Sequence, residues 1–125
     1  MNRLLILPVL LLTLLVGTPA FSADFQKGYA AYKSGDYATT LREWTPLAEQ
    51  GYAMAQFNLG AMYANGNGVI QDNVYAHMWF NIAASNGDKN AVKYRDMAAK
   101  NMMAADISKA QGLARACVAK KYKGC

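Results

Sequence analysis

Few side chains in this sequence are of a type that does chemistry, and their spacing decides what they can do. His77 is the single histidine. A histidine acting as general base needs a nucleophile and an orienting acid beside it. No Gly-x-Ser-x-Gly or Ser-x-x-Lys pattern accompanies it. His77 is therefore read as a helix-surface residue, one position off an apolar stripe. One histidine also excludes a multi-histidine metal centre. Asp72 and Asp88 as paired carboxylates would suit glycoside hydrolysis, but each stands where a helix should begin and is read as a cap. Gly66-Asn67-Gly68 lacks the Lys-Ser/Thr pair of a phosphate loop and is read as a turn. Met54, Met62, Met78, Met97, Met102 and Met103 carry thioethers suited to cuprous ion. They are scattered, and methionine is a common filler of cores. Cys117 and Cys125 have seven residues between them. A redox pair wants Cys-x-x-Cys at a helix start, which that spacing does not supply; the alternative is a disulfide. The expectation is a protein with no catalytic, metal or cofactor-binding residues.

What must position these residues follows from composition. The chain has 125 residues, 54% apolar and 17% charged, with a net charge of +5. That is one globular domain rather than a disordered chain. Its start has the layout of a secretory signal peptide: Arg3, then an apolar run from Leu4 to Val16, then Gly17, Thr18, Ala20, Ser22 and Ala23. Small residues at Ala20 and Ser22 favour cleavage after Ser22, with Ala23 the close competitor. The signal is assigned to 1–23 and the folded domain to 24–125. The apolar run is shorter than the roughly 20 residues of a spanning helix, so no stable membrane span is expected in the mature chain. The expected location is exported, periplasmic or secreted. There a pair of cysteines forms a disulfide, and nucleic acid is not a partner despite the basic charge. That charge is uneven. Residues 24–88 hold three basic and six acidic groups, whereas 89–125 hold nine basic and two acidic. The basic end is a solvated surface, a docking surface for an anionic partner, or one side of a head-to-tail self-association.

The mature region copies itself with a period of 36. Ala48-Glu49-Gln50-Gly51 is matched by Ala84-Ser85-Asn86-Gly87, and the same offset relates Asp36 to Asp72, Trp44 to Phe80 and Ala55 to Ala91. Such a period marks stacked helical units. Ala55, Leu59, Met62 and Tyr63 form one helical stripe; Ala76, Trp79, Phe80 and Ala83 form another. Tyr37, Leu41, Trp44 and Ala48 do the same in the first unit, and Ile107, Ala110, Ala114 and Cys117 in the third. Asp24, Asp36, Asp72 and Asp88 stand at helix starts, able to accept from free backbone N–H groups. Pro46 predicts a kink or a restart inside its helix.

The series Ala55-Gln56, Leu59-Gly60, Tyr63, Gly66-x-Gly68-Val69, Asp72, Ala76, Trp79, Ala83-Ala84 and Gly87 closely resembles one complete Sel-1-like repeat. The resemblance is strong over 50–87 and partial on either side. It implies an all-α fold, a short right-handed tetratricopeptide-like solenoid of about three helical hairpins. Its units would be 24–50, a complete repeat at 51–87, and a capping unit at 88–125. Gly60, Tyr63, Gly66, Gly68, Ala76, Trp79 and Ala84 would be structural signature positions. Exported members with similarly spaced cysteines link neighbouring helices, which fits a Cys117–Cys125 disulfide. The family implies a non-catalytic protein–protein scaffold, here one that binds another envelope protein or peptide. Tyr29, Asn58, Met62 and Asn65 are the candidate groove residues. The alternative function is binding of an envelope glycan or anionic surface through the basic C-terminal region.

Overall fold

The computed structural model describes residues 22–125. The signal-peptide assignment falls almost wholly outside the described residues. These form six α-helices and no strands: α1 (Phe25–Ser34), α2 (Tyr37–Glu49), α3 (Ala53–Asn65), α4 (Asn73–Ser85), α5 (Ala91–Ala99) and α6 (Ala104–Ala119). The arrangement is a short α-solenoid. Each helix packs on its sequence neighbour from α1 to α5, and α6 then packs back on α4.

Aspartates start the helices as their positions require. Asp24, Asp36 and Asp72 accept hydrogen bonds from the backbone N–H groups of Lys27, Thr39, and both Val74 and Tyr75. Asp88 does the same from just upstream of α5, accepting from Asn90 and Ala91. These bonds occupy donors that a helix start otherwise leaves open. The expected restart at Pro46 does not occur. α2 runs unbroken through it, because Pro46 lies in the last turn and few helical bonds follow it.

The core is a contiguous cluster built from the periodic stripes. It includes Trp44, Ala48, Ala55, Leu59, Met62, Met78, Trp79, Ile82, Ala114 and Cys117. Two glycines set how closely its elements approach. A Cβ at Gly60 would stand 2.7 Å from the Phe80 ring, so only glycine lets α3 lie this close to α4. Gly68 has φ +72°, and a Cβ there would fall 2.5 Å from Tyr37 Cβ. The α3–α4 loop can therefore rest on the first turn of α2 only with glycine at that point. Asn67 of the same loop donates to the Tyr32 hydroxyl at 3.1 Å, tying the two units together.

The opposite end of the helices carries a polar ladder across all the units. Gln56 Nε2 donates to Ala48 O (3.0 Å), Asn86 Nδ2 to Gln56 Oε1 (2.9 Å), and the Tyr122 hydroxyl to Asn86 Oδ1 (3.1 Å). Gln56 is fully buried, so these bonds are what make its burial tolerable. Cys117 and Cys125 are joined by a disulfide, with Cα atoms 5.7 Å apart. It folds the tail so that Tyr122 also lies against Gly51.

The third pair departs from the first two. α5 and α6 both pack on α4 but hardly touch each other. α4 is consequently flanked on several sides, and seven of its thirteen residues are buried.

Candidate functional site

The first helices of the three pairs, α1, α3 and α5, contribute to two concavities on one side of the solenoid. Near the starts of these helices lies a concavity of about 370 Å³. Phe25 and Tyr29 of α1 and Met54, Phe57 and Asn58 of α3 line it, together with Asn90 before α5. Farther along is a second of about 240 Å³, lined chiefly by Asn65, Phe80, Tyr94, Met97 and Asn101. Phe57 lines the first and meets Tyr94 of the second edge-on, ring centroids 5.1 Å apart. The two concavities thus adjoin as one trough.

The trough is apolar with polar points. Tyr29, Met54, Tyr94 and Met97 each leave between 41% and 51% of their surface exposed. Apolar side chains this open on one concave face are candidates for contact with a partner. Lys33 Nζ sits 5.4 Å from the Tyr29 ring centroid and adds a positive charge at the α1 edge. Asn58, Asn65 and Asn101 offer both donors and acceptors along the trough, suited to a peptide main chain.

Of the residues expected in a groove, Tyr29, Asn58 and Asn65 line these concavities. Met62 does not. It is 1% exposed and belongs to the core cluster. The physical reason was visible in the stripe Ala55–Leu59–Met62, whose spacing turns Met62 toward α4. Met54, Phe57, Tyr94 and Met97 are trough residues that the sequence reading left out. For two of them a signal was present: Tyr94 and Met97 stand at i and i+3 on the open side of α5, with Asn101 at i+7 just past its end. Among the signature positions, Gly60, Ala76 and Trp79 are buried, while Tyr63, Gly66 and Ala84 are partly covered. Tyr63 stacks on Tyr75 at 5.3 Å. Burial, helped by Tyr75 and Asp72, holds the Tyr63 hydroxyl above its ordinary pKa.

His77 is not a surface residue. It is 3% exposed, and its Nδ1 has no hydrogen-bond partner among the described residues. Packing of both α5 and α6 on α4 covers a face that would otherwise be open. Burial holds the imidazole below its ordinary pKa of 6.5, with Arg95 adding to the effect and Asp96 opposing it. The neutral form is therefore the one the fold accepts. Above that value the folded and unfolded chains are both neutral, and this group gives no pH dependence. As pH falls below 6.5 the unfolded chain takes up the proton first, so stability drops toward the lowered folded value. Urea midpoints are expected to fall between about pH 7 and pH 5.5, and His77→Gln to flatten that slope. An unchanged slope in the variant would remove His77 from the account.

Among the described residues, no group of three or more His, Cys, Asp or Glu side chains converges as a metal site would need. No described helix is long and apolar enough to cross a membrane.

A short solenoid of paired helices is an architecture of the tetratricopeptide-like class. Residues 53–88 match the family model described as Sel1 repeat, and the chain carries a Sel1-like repeat over that segment. Over 63 residues, half of this chain, it is 33% identical to a protein of Rhizobium leguminosarum bv. viciae named as an exopolysaccharide production negative regulator. The chain spans 24% of the length of that relative. Sel1 repeats are in general protein-interaction modules without catalytic function.

Proposed function

We propose that this chain is an exported, non-catalytic adaptor that holds a segment of another envelope protein in the α1–α3–α5 trough. The single observation behind this is the alignment of Tyr29, Met54, Tyr94 and Met97, all about half exposed, on one concave face. An isolated exposed apolar residue is ordinary, but a contiguous set in a concavity marks a contact surface. Export is supported by the Arg3, Leu4–Val16 and Ala20–Ala23 pattern and by the Cys117–Cys125 disulfide. The relative's printed name describes a regulator, a role compatible with control through protein contact.

Met97→Asp and Tyr94→Ser are expected to weaken capture of a stoichiometric partner by about tenfold or more each, the effect of losing a contact hot spot. The thermal midpoint should change little in Met97→Asp, whose side chain is half open, and should fall in Tyr94→Ser, which also loses ring contacts with Phe57 and Phe80. Partner capture that survives both substitutions would exclude the trough as the binding face.

A second reading has its own observation: nine basic residues against two acidic in 89–125. On that reading the C-terminal region binds an anionic glycan or lipid surface. Sedimentation with purified cell wall or anionic vesicles, lost at moderate salt, would favour it over the trough.

A further inference from the structure

α5 and α6 both rest on α4 and scarcely touch one another. A concavity of about 270 Å³ lies between α4 and α6, lined by Asn81, Ile82 and Ser85 of α4 and Ala114, Arg115 and Val118 of α6. Its chemistry is two-sided. Ile82, Ala114 and Val118 make an aliphatic wall, and Val118 is 47% exposed. Arg115 is exposed on the same lining and makes no ion pair among the described residues. Arg95 of α5 does not line the concavity itself, but its Nη1 donates to the Asn81 side-chain oxygen at 3.1 Å, which fixes a second guanidinium beside a lining residue. The counter-charge on Arg95 is Asp96, at 3.2 Å from Nε and itself 62% exposed. Such an exposed pair is weak and readily exchanged.

We propose that this cleft is a second docking site, which takes a carboxylate side chain and an aliphatic neighbour from an acidic peptide segment of a protein partner. Arg115 is the primary carboxylate contact, and Arg95, positioned by Asn81, is the second. Guanidinium forks match a carboxylate with paired, charge-assisted hydrogen bonds. Ile82, Ala114 and Val118 require apolar atoms next to that charge, which inorganic phosphate lacks. The volume is below the roughly 300–1,000 Å³ of a small-molecule site, so a side chain fits better than a whole ligand. The surrounding excess of basic residues draws an acidic segment in. The proposal rests on the scaffold reading for the nature of its partner, but not on the trough, which lies on the other side of α5.

The test is calorimetric titration of the disulfide-bonded chain with a short synthetic peptide carrying one glutamate between leucines, and with its glutamine counterpart. The glutamate peptide is expected to bind about tenfold tighter or more, the worth of a charge-assisted hydrogen bond. Arg115→Gln should erase that preference, and Arg115→Lys should keep part of it. Lys123→Gln removes the same charge and should leave the preference intact. Equal affinity for the two peptides, no binding of the glutamate peptide, or equal losses in Arg115→Gln and Lys123→Gln would each overturn the proposal. So would inorganic phosphate or anionic vesicles binding more tightly than the glutamate peptide. Met97→Asp should not alter the titration, so failure here and failure of the trough are separable.

Discussion

Phe80→Ala is expected to lower global stability by about 3–5 kcal/mol, the range for a fully buried aromatic truncated in a core. The Phe80 side chain is 1% exposed and connects three helices. On α4, its ring lies 5.4 Å from Phe57 of α3 and 5.9 Å from Tyr94 of α5, and it fills the space that Gly60 leaves open. The cavity cannot close by a small shift, because rings from two other helices would have to move at once. Phe80 also lines the second half of the trough, so partner affinity should fall with stability. Urea unfolding followed by circular dichroism reads the change as a lower midpoint with an unchanged slope. A loss below about 1 kcal/mol, the scale of an average point substitution, would mean that the three helices do not share a core at this point.

The second large effect concerns the tail. Cys125→Ser, or reduction by a dithiol, is expected to cost about 2.5 kcal/mol through the entropy of the short loop released. More is lost locally. Lys121 and Tyr122 have φ +53° and +65°, conformations that side-chain-bearing residues rarely hold unaided. The disulfide keeps that turn, and the turn aims the Tyr122 hydroxyl at Asn86 and its ring at Gly51. Once the bond is gone, the ladder from Ala48 through Gln56 to Asn86 loses its last member. Hydrogen exchange should therefore speed up at residues 117–125 and around Asn86, far from the trough. Tyr122→Phe separates the parts: it removes one hydrogen bond, worth about 0.5–1.5 kcal/mol, and keeps the ring packing. Equal stability of the oxidised and reduced chains would show that the tail contributes nothing to the fold.

Much of the architecture was legible because it depends on local periodicity. The stripes Ala55–Leu59–Met62 and Ala76–Trp79–Phe80–Ala83 are buried as their spacing demands. Asp24, Asp36 and Asp72 accept from helix starts where the turn signals put them. What could not be read depends on contacts distant in sequence. His77 is buried because both α5 and α6 pack on α4, and no pattern inside α4 reveals that. The Tyr122–Asn86 bond spans 36 residues and joins two loops whose sequences give no sign of meeting. Met62 faces the core because the Ala55–Leu59–Met62 stripe, and not its place on a first helix, decides its direction. The trough was legible in part: the first helices do carry it, but the rotation of α5 that turns Tyr94 and Met97 outward needed the packing of Ala91 and Ala98 on α4.

Site-specific photo-crosslinking in living cells tests the central claim most directly. With a photoreactive residue at Met97, in the trough, a single adduct of defined mass with one partner protein is expected. Met54, at the other end of the trough, should give the same partner. Arg42, exposed on α2, should give none. Adducts from Arg42 alone, or a different spectrum of adducts at each of the three positions, would contradict a scaffold that grips one partner through the α1–α3–α5 face.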